Sequence, residues 1–377
     1  MFHSRPWKHN NGRSAMQKEQ IVIIGGGNGA LAFAAYLGLR DHQVRLWEFP
    51  EFRTGIAQVY KQQSLKVSGV FTSEIPVCYF DRIGDALRKA TIIMVVIPAF
   101  AHARLAEEIA PYVREDAVII LNPGRTGGAF EVAKILMERG IKVPIAETQT
   151  LLFACRRKEE REVKISGIKS FLKIGFFPAV QTEAVMARLK EIIPPLQAVP
   201  DVLTTSFGNI GAMFHPASAL FNVGLLESGR NYDYYMETMT PAIVRVIEQA
   251  DRERVSIAEK AGAEAFSVQT WLHESYALNM DSLYGMLHAN AAYQGVAGPG
   301  NIQTRYITED VPTGLVPMEA FGLLYGIPTP TISNLINMAQ TLLQRDFRRD
   351  GRNMERMGLA NLRSDEITDY VRTGSRR

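Results

Sequence analysis

The chain has 377 residues, 46% of them hydrophobic, and a formal net charge of +3. That length exceeds what one hydrophobic core usually fills, so two domains are expected, and the small net charge gives no ground for nucleic-acid binding. Two cysteines, Cys78 and Cys155, are too few for a disulfide scaffold and point to a reducing, cytoplasmic setting.

Residues 1–20 are basic in character but hold no continuous apolar segment, so they read as a disordered arm or tag rather than a secretory signal. The chain proper opens on Ile21, Val22, Ile23 and Ile24, a run apolar on both faces as a strand buried in a parallel sheet requires. Gly25, Gly27 and Ala30 follow at the spacing G-x-G-x-x-A, with Asn28 and Gly29 between them, and an Ala-rich helical pattern starts there. In the dinucleotide fingerprint the first glycine makes the tight turn and the second lets backbone approach a pyrophosphate. The third small residue brings helix close to strand, and the helix N-terminus faces the phosphates. The alternative is a glycine-rich turn without a ligand.

Val44, Leu46 and Glu48 read as the end of a second strand, which places a carboxylate about 20 residues past the glycines. There it accepts hydrogen bonds from an adenosine ribose diol and repels a 2′-phosphate. NAD is therefore the expected cofactor, NADH favoured over NADPH, although Arg45 and Arg53 stand close enough in sequence to reverse the preference.

A helix is expected over 83–89 and a buried strand over 92–97, ending at Pro98. This apolar stretch, 91–100, is too short to cross a bilayer and contains a proline, so no membrane partner is expected. A strand over 117–121 runs into Asn122, Pro123 and Gly124, then a helix over 129–138 and a strand over 143–146. Strands alternating with helices at this spacing imply right-handed crossovers and a Rossmann-type, doubly wound parallel sheet. The loops at Pro98, Pro123 and Gly124 leave carboxyl ends of strands, where open α/β sheets bind ligands, so these residues join the candidate cofactor site.

The block 147–156 holds Thr150 and Cys155 at another strand end. After a strand over 171–177 and a helix over 183–192, the Pro194-Pro195 break marks the end of a dinucleotide-binding domain over 21–200. From about residue 202 the patterns are long and helical, over 210–226, 241–260, 268–288, 316–325 and 332–345. They imply an all-α second domain over 201–363 for substrate and catalysis, with substrate held between the two domains and a polar, mostly solvent-facing tail over 364–377. Such a helical domain can present a face for a homodimer or none.

His215 stands early in the second domain, and an imidazole can give or accept a proton as a carbonyl or imine is reduced. A core histidine beside a proline-disturbed turn is the competing explanation. In the loop 298–317, Arg305 offers a planar fork for a substrate carboxylate, and Asp310 can orient an imidazole and favour its charged form. Their plainer alternatives are a surface arginine and a helix-capping acid. Dehydrogenases of the 6-phosphogluconate type place a lysine on this helix with an asparagine one turn later; here His215 and Ala219 stand in those places, which disfavours that class. His102 follows the Pro98 loop and can approach a nicotinamide ribose, although loop histidines are usually solvated, and the arginine-rich run 345–356 reads as a solvated, self-pairing helix face rather than a phosphate or nucleic-acid patch. No Cys, His and carboxylate cluster has metal spacing.

Six ordered blocks, IIGGGNGALAFAAYL, NPGRTGGAFE, ETQTLLFACR, the His215-Pro216 pair, EDVPTGLVP and GRNMERMGL, resemble the octopine/nopaline dehydrogenase family, the opine dehydrogenases, over nearly the whole chain from 21 to about 371. The resemblance implies an NAD(P)H-dependent reductive condensation of a 2-oxo acid with an amino acid. It implies His215 as the catalytic histidine, Asp310 as its paired acid and Arg305 as the arginine that holds a substrate carboxylate or polar group. Thr150 and Cys155 would line the pocket of the amino donor. Ala30 departs from the glycine many relatives carry. Two further readings stand beside it: a dehydrogenase of a small hydroxy acid, and a catalytically silent NAD(H)-binding sensor.

Overall fold

The structure, a computed structural model, describes residues 19–376; the expected arm or tag therefore lies almost wholly outside the described residues. The chain divides into two compact units. One comprises 19–124 and Val132–Val199, the other Arg125–Glu131 and 200–376. The segment Arg125–Glu131, expected in the first domain, thus groups with the helical residues.

In the first unit the strands are β1 (Ile21–Ile24), β2 (Val44–Trp47), β3 (Ser64–Gly69), β4 (Ser73–Pro76), β5 (Cys78–Tyr79), β6 (Ile92–Val95), β7 (Val118–Leu121), β8 (Ile145–Thr148), β9 (Phe153–Glu159), β10 (Glu162–Ile168), β11 (Leu172–Phe177) and β12 (Leu196–Ala198). Among the described residues they form an eight-stranded sheet, β12-β11-β8-β7-β6-β1-β2-β5, and a four-stranded one, β4-β3-β10-β9. β1 pairs in parallel with β2 on one side and β6 on the other, Ile21 standing opposite Val44 and Ile92. The direction of winding reverses there, so the ligand crevice of this sheet opens at the carboxyl end of β1. All four β1 side chains are fully buried, each contributing roughly 1.5–3 kcal/mol relative to exposure.

The sheet departs from the all-parallel expectation at β11, which runs antiparallel to β8 with Ile174 opposite Thr148. The chain leaves β8, makes the β9–β10 hairpin instead of a crossover helix, and returns to the same edge, where Lys169 N–H donates to Leu152 O at 3.0 Å. A strand starting from that edge has to run back the other way. β8 itself begins at Ile145 rather than 143, because Pro144 has no N–H to give to the ladder.

The small sheet was not legible as a layer. Its strands β3, β9 and β10 pack on the helix Asn28–Gly38, whose residues from Ala30 to Leu37 are all buried. A helix apolar all round is one covered on all sides, and here Phe33 and Tyr36 meet Phe153 of β9 at 4.8 and 5.4 Å between ring centres.

The helical unit is built round Pro241–Lys260, started by Pro241 and by the Thr240 hydroxyl accepting from Ile243 N–H. Two helices expected as continuous are broken. The stretch 210–226 splits at Asn222 into Gly211–Phe221 and Val223–Leu226, because the Asn222 amide donates to Ser218 O and Thr238 O, local bonds that compete with the helix. The stretch 268–288 stops at Ala277, which has φ +55°, and restarts at Leu283 with Ser282 as cap. The tail expected to face solvent is a helix, Ser364–Thr373, with Ile367, Tyr370 and Val371 buried and Tyr370 stacked against Phe130. Its polar residues hide an apolar stripe at helical spacing. Among the described residues no helix is long and apolar enough to cross a membrane.

Candidate active site

The glycine turn of the sheet unit has the shape a dinucleotide needs. Gly25 holds φ +122°, and a Cβ there would lie 2.4 Å from Val96 O, so both conformation and space demand glycine. Nothing lies within 4 Å of the Cβ position of Gly27. No side chain caps the helix that starts at Asn28, and no acid stands in its first turn, which leaves unpaired N–H groups and the dipole for an anion. These features fit a pyrophosphate.

Glu48 is buried at the end of β2, its Oε2 accepting from Gly26 N–H at 2.6 Å and its Oε1 from Phe49 N–H at 2.8 Å. Burial pushes its carboxyl above the usual range against those two bonds. Arg45 is committed to Ala86 O and Arg88 O, and Arg53 to Asp81. Pro98 ends the β6 loop, Pro123 follows a cis Asn122-Pro123 bond, and Gly124 lies against Glu147, where a Cβ would come within 2.4 Å of that side chain. Cys155 Sγ meets Asn28 O at 3.5 Å, and burial pushes its thiol up to about 11, an inert thiol that packs against the turn. Arg157, for which the sequence carries no signal, ties β9 to the same turn through its backbone N–H on Asn28 Oδ1 at 3.0 Å, and its guanidinium reaches Gly55 O in the segment Pro50–Ile56 at 2.6 Å. His102, expected in solvent, is buried at the start of the helix His102–Ile109, on that helix's apolar face beside Leu105 and Ala106.

In the helical unit, His215 Nδ1 lies 2.7 Å from Asp310 Oδ2. A carboxylate only accepts, so the bond puts a proton on Nδ1 and leaves Nε2 for exchange with a substrate. Asp310 precedes the segment Val311–Leu315 yet makes no cap bond; its side chain is given to the imidazole. The approach depends on Gly314, where a Cβ would stand 2.6 Å from Ala212 Cβ on the histidine's helix.

Val311–Leu315 is one π-helical turn, Val316 N–H bonding five residues back to Val311 O, a geometry frequent at functional sites. That register leaves Pro312 O without its usual donor, and Pro317 has no N–H for Thr313 O. Arg352 N–H takes the first at 2.9 Å and Thr126 N–H the second at 3.1 Å. Three of the quoted sequence blocks are thereby laced together by backbone.

This lacing delivers Arg125, whose role the sequence did not reveal. Arg125 sits at φ +61°, a left-handed conformation that costs a non-glycine residue roughly 1–2 kcal/mol. Its Nη1 stands 3.4 Å from Asp310 Oδ1 and its Nη2 3.5 Å from Glu309 Oε2. Burial raises the Asp310 carboxyl, but Arg125 first and His215 second outweigh it and hold the group below its ordinary value. Arg305 is 60% exposed, with Nε and Nη2 both on Glu309, so it joins the pair through Glu309 rather than by touching His215. Tyr306 stacks on the imidazole at 4.3 Å, and Tyr234 OH donates to His215 O at 3.2 Å. An arginine in a glycine-rich loop was the available signal for Arg125; Tyr306 had none beyond its place beside Arg305.

Arg125→Lys keeps the charge and loses the fork that spans two carboxylates. We expect kcat/KM to fall about tenfold to a hundredfold, the range for a hydrogen bond to a charged group, with the circular dichroism spectrum unchanged; unaltered kinetics would remove Arg125 from the site.

A sheet unit shaped for a dinucleotide and a helical unit presenting an oriented imidazole define a nicotinamide-dependent dehydrogenase of two parts. Residues 198–343 match the family described as NAD/NADP octopine/nopaline dehydrogenase, alpha-helical domain, and residues 20–145 that described as NAD-dependent glycerol-3-phosphate dehydrogenase N-terminus. An opine dehydrogenase of Arthrobacter sp. (strain 1C) is 37% identical over 357 residues, which cover 94% of this chain and 99% of that one, and the chain belongs to the opine dehydrogenase family. An octopine dehydrogenase of Mizuhopecten yessoensis is 25% identical, with 71% and 73% covered. The solved structure of octopine dehydrogenase in complex with NADH and agmatine shares the fold, with a TM-score of 0.79 at 21% identity over 95% of this chain and 99% of that one. The chain is accordingly an NAD(P)-dependent oxidoreductase acting on CH–NH groups, and it condenses a 2-oxo acid reductively with an amino acid.

Proposed function

We propose that the sheet unit holds NADH in preference to NADPH and that His215, Asp310, Arg125 and Arg305 of the helical unit carry the condensation. The observation that carries this reading is the 2.7 Å His215–Asp310 bond braced by Arg125. Gly25, Gly27, Asn28, Gly29 and Ala30 would cradle the pyrophosphate, with Pro98, Pro123 and Gly124 along the same carboxyl edge of the sheet. Glu48 favours a ribose diol over a 2′-phosphate, and Arg45 and Arg53 are spent on backbone carbonyls and Asp81. Bound NADH supplies the hydride.

His215 holds a proton at the carbonyl oxygen of the oxo acid through Nε2 and helps expel that oxygen as water when the amine adds. Asp310 fixes the tautomer and balances the ring's charge, and Arg125 keeps Asp310 ionised. Arg305 orients a substrate carboxylate with the edge of its fork that Glu309 leaves over, which lowers the entropy lost on the way to reaction. Tyr234, Tyr235 and Tyr293 form a ring-on-ring wall behind Tyr306, with burial pushing each phenol far up. Such a dry wall shelters an imine from hydrolysis. Thr150 and Cys155 belong to the substrate-facing edge of the sheet unit, and the two unpaired cysteines agree with a reducing cytoplasm.

The test is a matrix of amino acids against pyruvate, oxaloacetate and 2-oxoglutarate, following the absorbance of NADH and NADPH. Cofactor oxidation that requires both partners, with kcat/KM for NADH at least about tenfold above NADPH, is the expected result. Oxidation with the oxo acid alone would instead indicate a simple hydroxy-acid dehydrogenase.

A further inference from the structure

The reaction brings two carboxylates together, one on each substrate. In the helical unit Arg305 is shared with Glu309, and Arg125 is spent on Glu309 and Asp310. The sheet unit supplies another cation. Lys169 stands where β10 hands over to β11, at the same edge as the loop leaving β8, its N–H on Leu152 O. Its ammonium donates to Thr150 Oγ1, and the Thr150 hydroxyl donates on to Leu151 O at 3.0 Å. No carboxylate pairs with Lys169 among the described residues. Leu151 seats the loop on the glycine turn, since a Cβ on Gly29 would lie 2.9 Å from Leu151 Cδ1.

An ammonium half removed from water, with a hydroxyl as its partner, bears a desolvation cost that an anion would relieve. We infer that Lys169 and Thr150 form an anion subsite on the sheet unit and take the carboxylate of one of the two condensing substrates. The assignment rests on the two-substrate reaction stated above. Burial brings the Lys169 ammonium down to about 8, and no charged side chain contributes to that shift. Its hydrogen-bond partner among the described residues is the Thr150 hydroxyl. Raising the pH through about 8 therefore removes the proton and with it the anion's partner, so affinity should fall about tenfold per unit above that point.

The test compares wild type with K169M, K169R and T150V. Pyruvate, 2-oxoglutarate and the best amino acid of the matrix are each titrated calorimetrically into chain saturated with NADH, at pH values from 6.5 to about 9.5, and NADH affinity is read separately by fluorescence. For one of the two substrate classes K169M should weaken binding about tenfold to a hundredfold and abolish the loss above pH 8. K169R should restore most of the affinity, T150V should cost a few-fold, and NADH affinity should stay within twofold. Unchanged binding of both classes overturns the subsite, and a loss confined to NADH overturns it in favour of a cofactor phosphate. Because binding is read without turnover, a chain that oxidises NADH with no substrate pair would sink the reaction while leaving Lys169 to be judged on its own.

Discussion

Replacing His215 by alanine is expected to lower kcat by about 10²- to 10⁴-fold, the usual share of a positioned general acid, while NADH affinity read by nicotinamide fluorescence stays within twofold. The two observables separate because the glycine turn that would hold the dinucleotide belongs to the sheet unit and His215 to the helical unit. His215→Asn provides the control: its amide can still donate to Asp310, so the buried carboxylate keeps a partner while the proton carrier is gone. If the asparagine variant is as slow as the alanine variant, loss of proton transfer explains both. Full turnover in either variant would strike His215 from the mechanism.

Arg352→Met is expected to destabilise the chain by about 3–5 kcal/mol, the cost of breaking a buried ion pair by removing one partner. The guanidinium is 1% exposed and its Nε donates to Glu131 Oε2 at 2.8 Å. Its Nη1 reaches Thr126 O at 3.3 Å, and its own backbone holds Pro312 O. Urea unfolding followed by circular dichroism gives the number, and the paired variant Arg352→Met with Glu131→Gln should recover a large part of it, since both charges of the buried pair are then gone. A loss below about 1 kcal/mol would place Arg352 among surface ion pairs. That was the expectation from sequence, where the run 345–356 looks like a solvated helix face. Arg345, Arg348 and Arg349 do pair on the surface, with Asp350 and Glu319; Arg352 is fully buried on Glu131 and the half-exposed Arg356 reaches the other oxygen of the same acid at 3.3 Å, and a charge pattern read along the chain holds no sign of it.

The same contrast runs through the molecule. The turn at Gly25, the strand before it, the acid at Glu48 and the alternation of strands with helices were legible because each is written within a few dozen residues, in periodicity and in the few residue types that tight turns accept. Broken helices at Asn222 and Ala277 were missed because apolar spacing continues across both, and only a local side-chain bond or a left-handed residue stops the helix. The small sheet escaped notice for a related reason: β3 and β10, its middle pair, are joined by contacts between residues about a hundred positions apart, such as Lys66 and Glu162.

By itself, then, the sequence determined the dinucleotide turn, the two-part plan and the candidates His215, Asp310 and Arg305, since local propensity and residue chemistry act over short spans. Only the tertiary structure decided that Arg125, and not Arg305, braces the acid, that Arg352 is buried, and that Lys169 ends on a hydroxyl. Those outcomes depend on pairings such as His215 with Asp310, 95 residues apart, and Glu131 with Arg352, 221 apart. At such separations the partner of a charge is chosen by how the backbone closes, through bonds like Thr126 to Thr313, and no pattern along the chain encodes that choice.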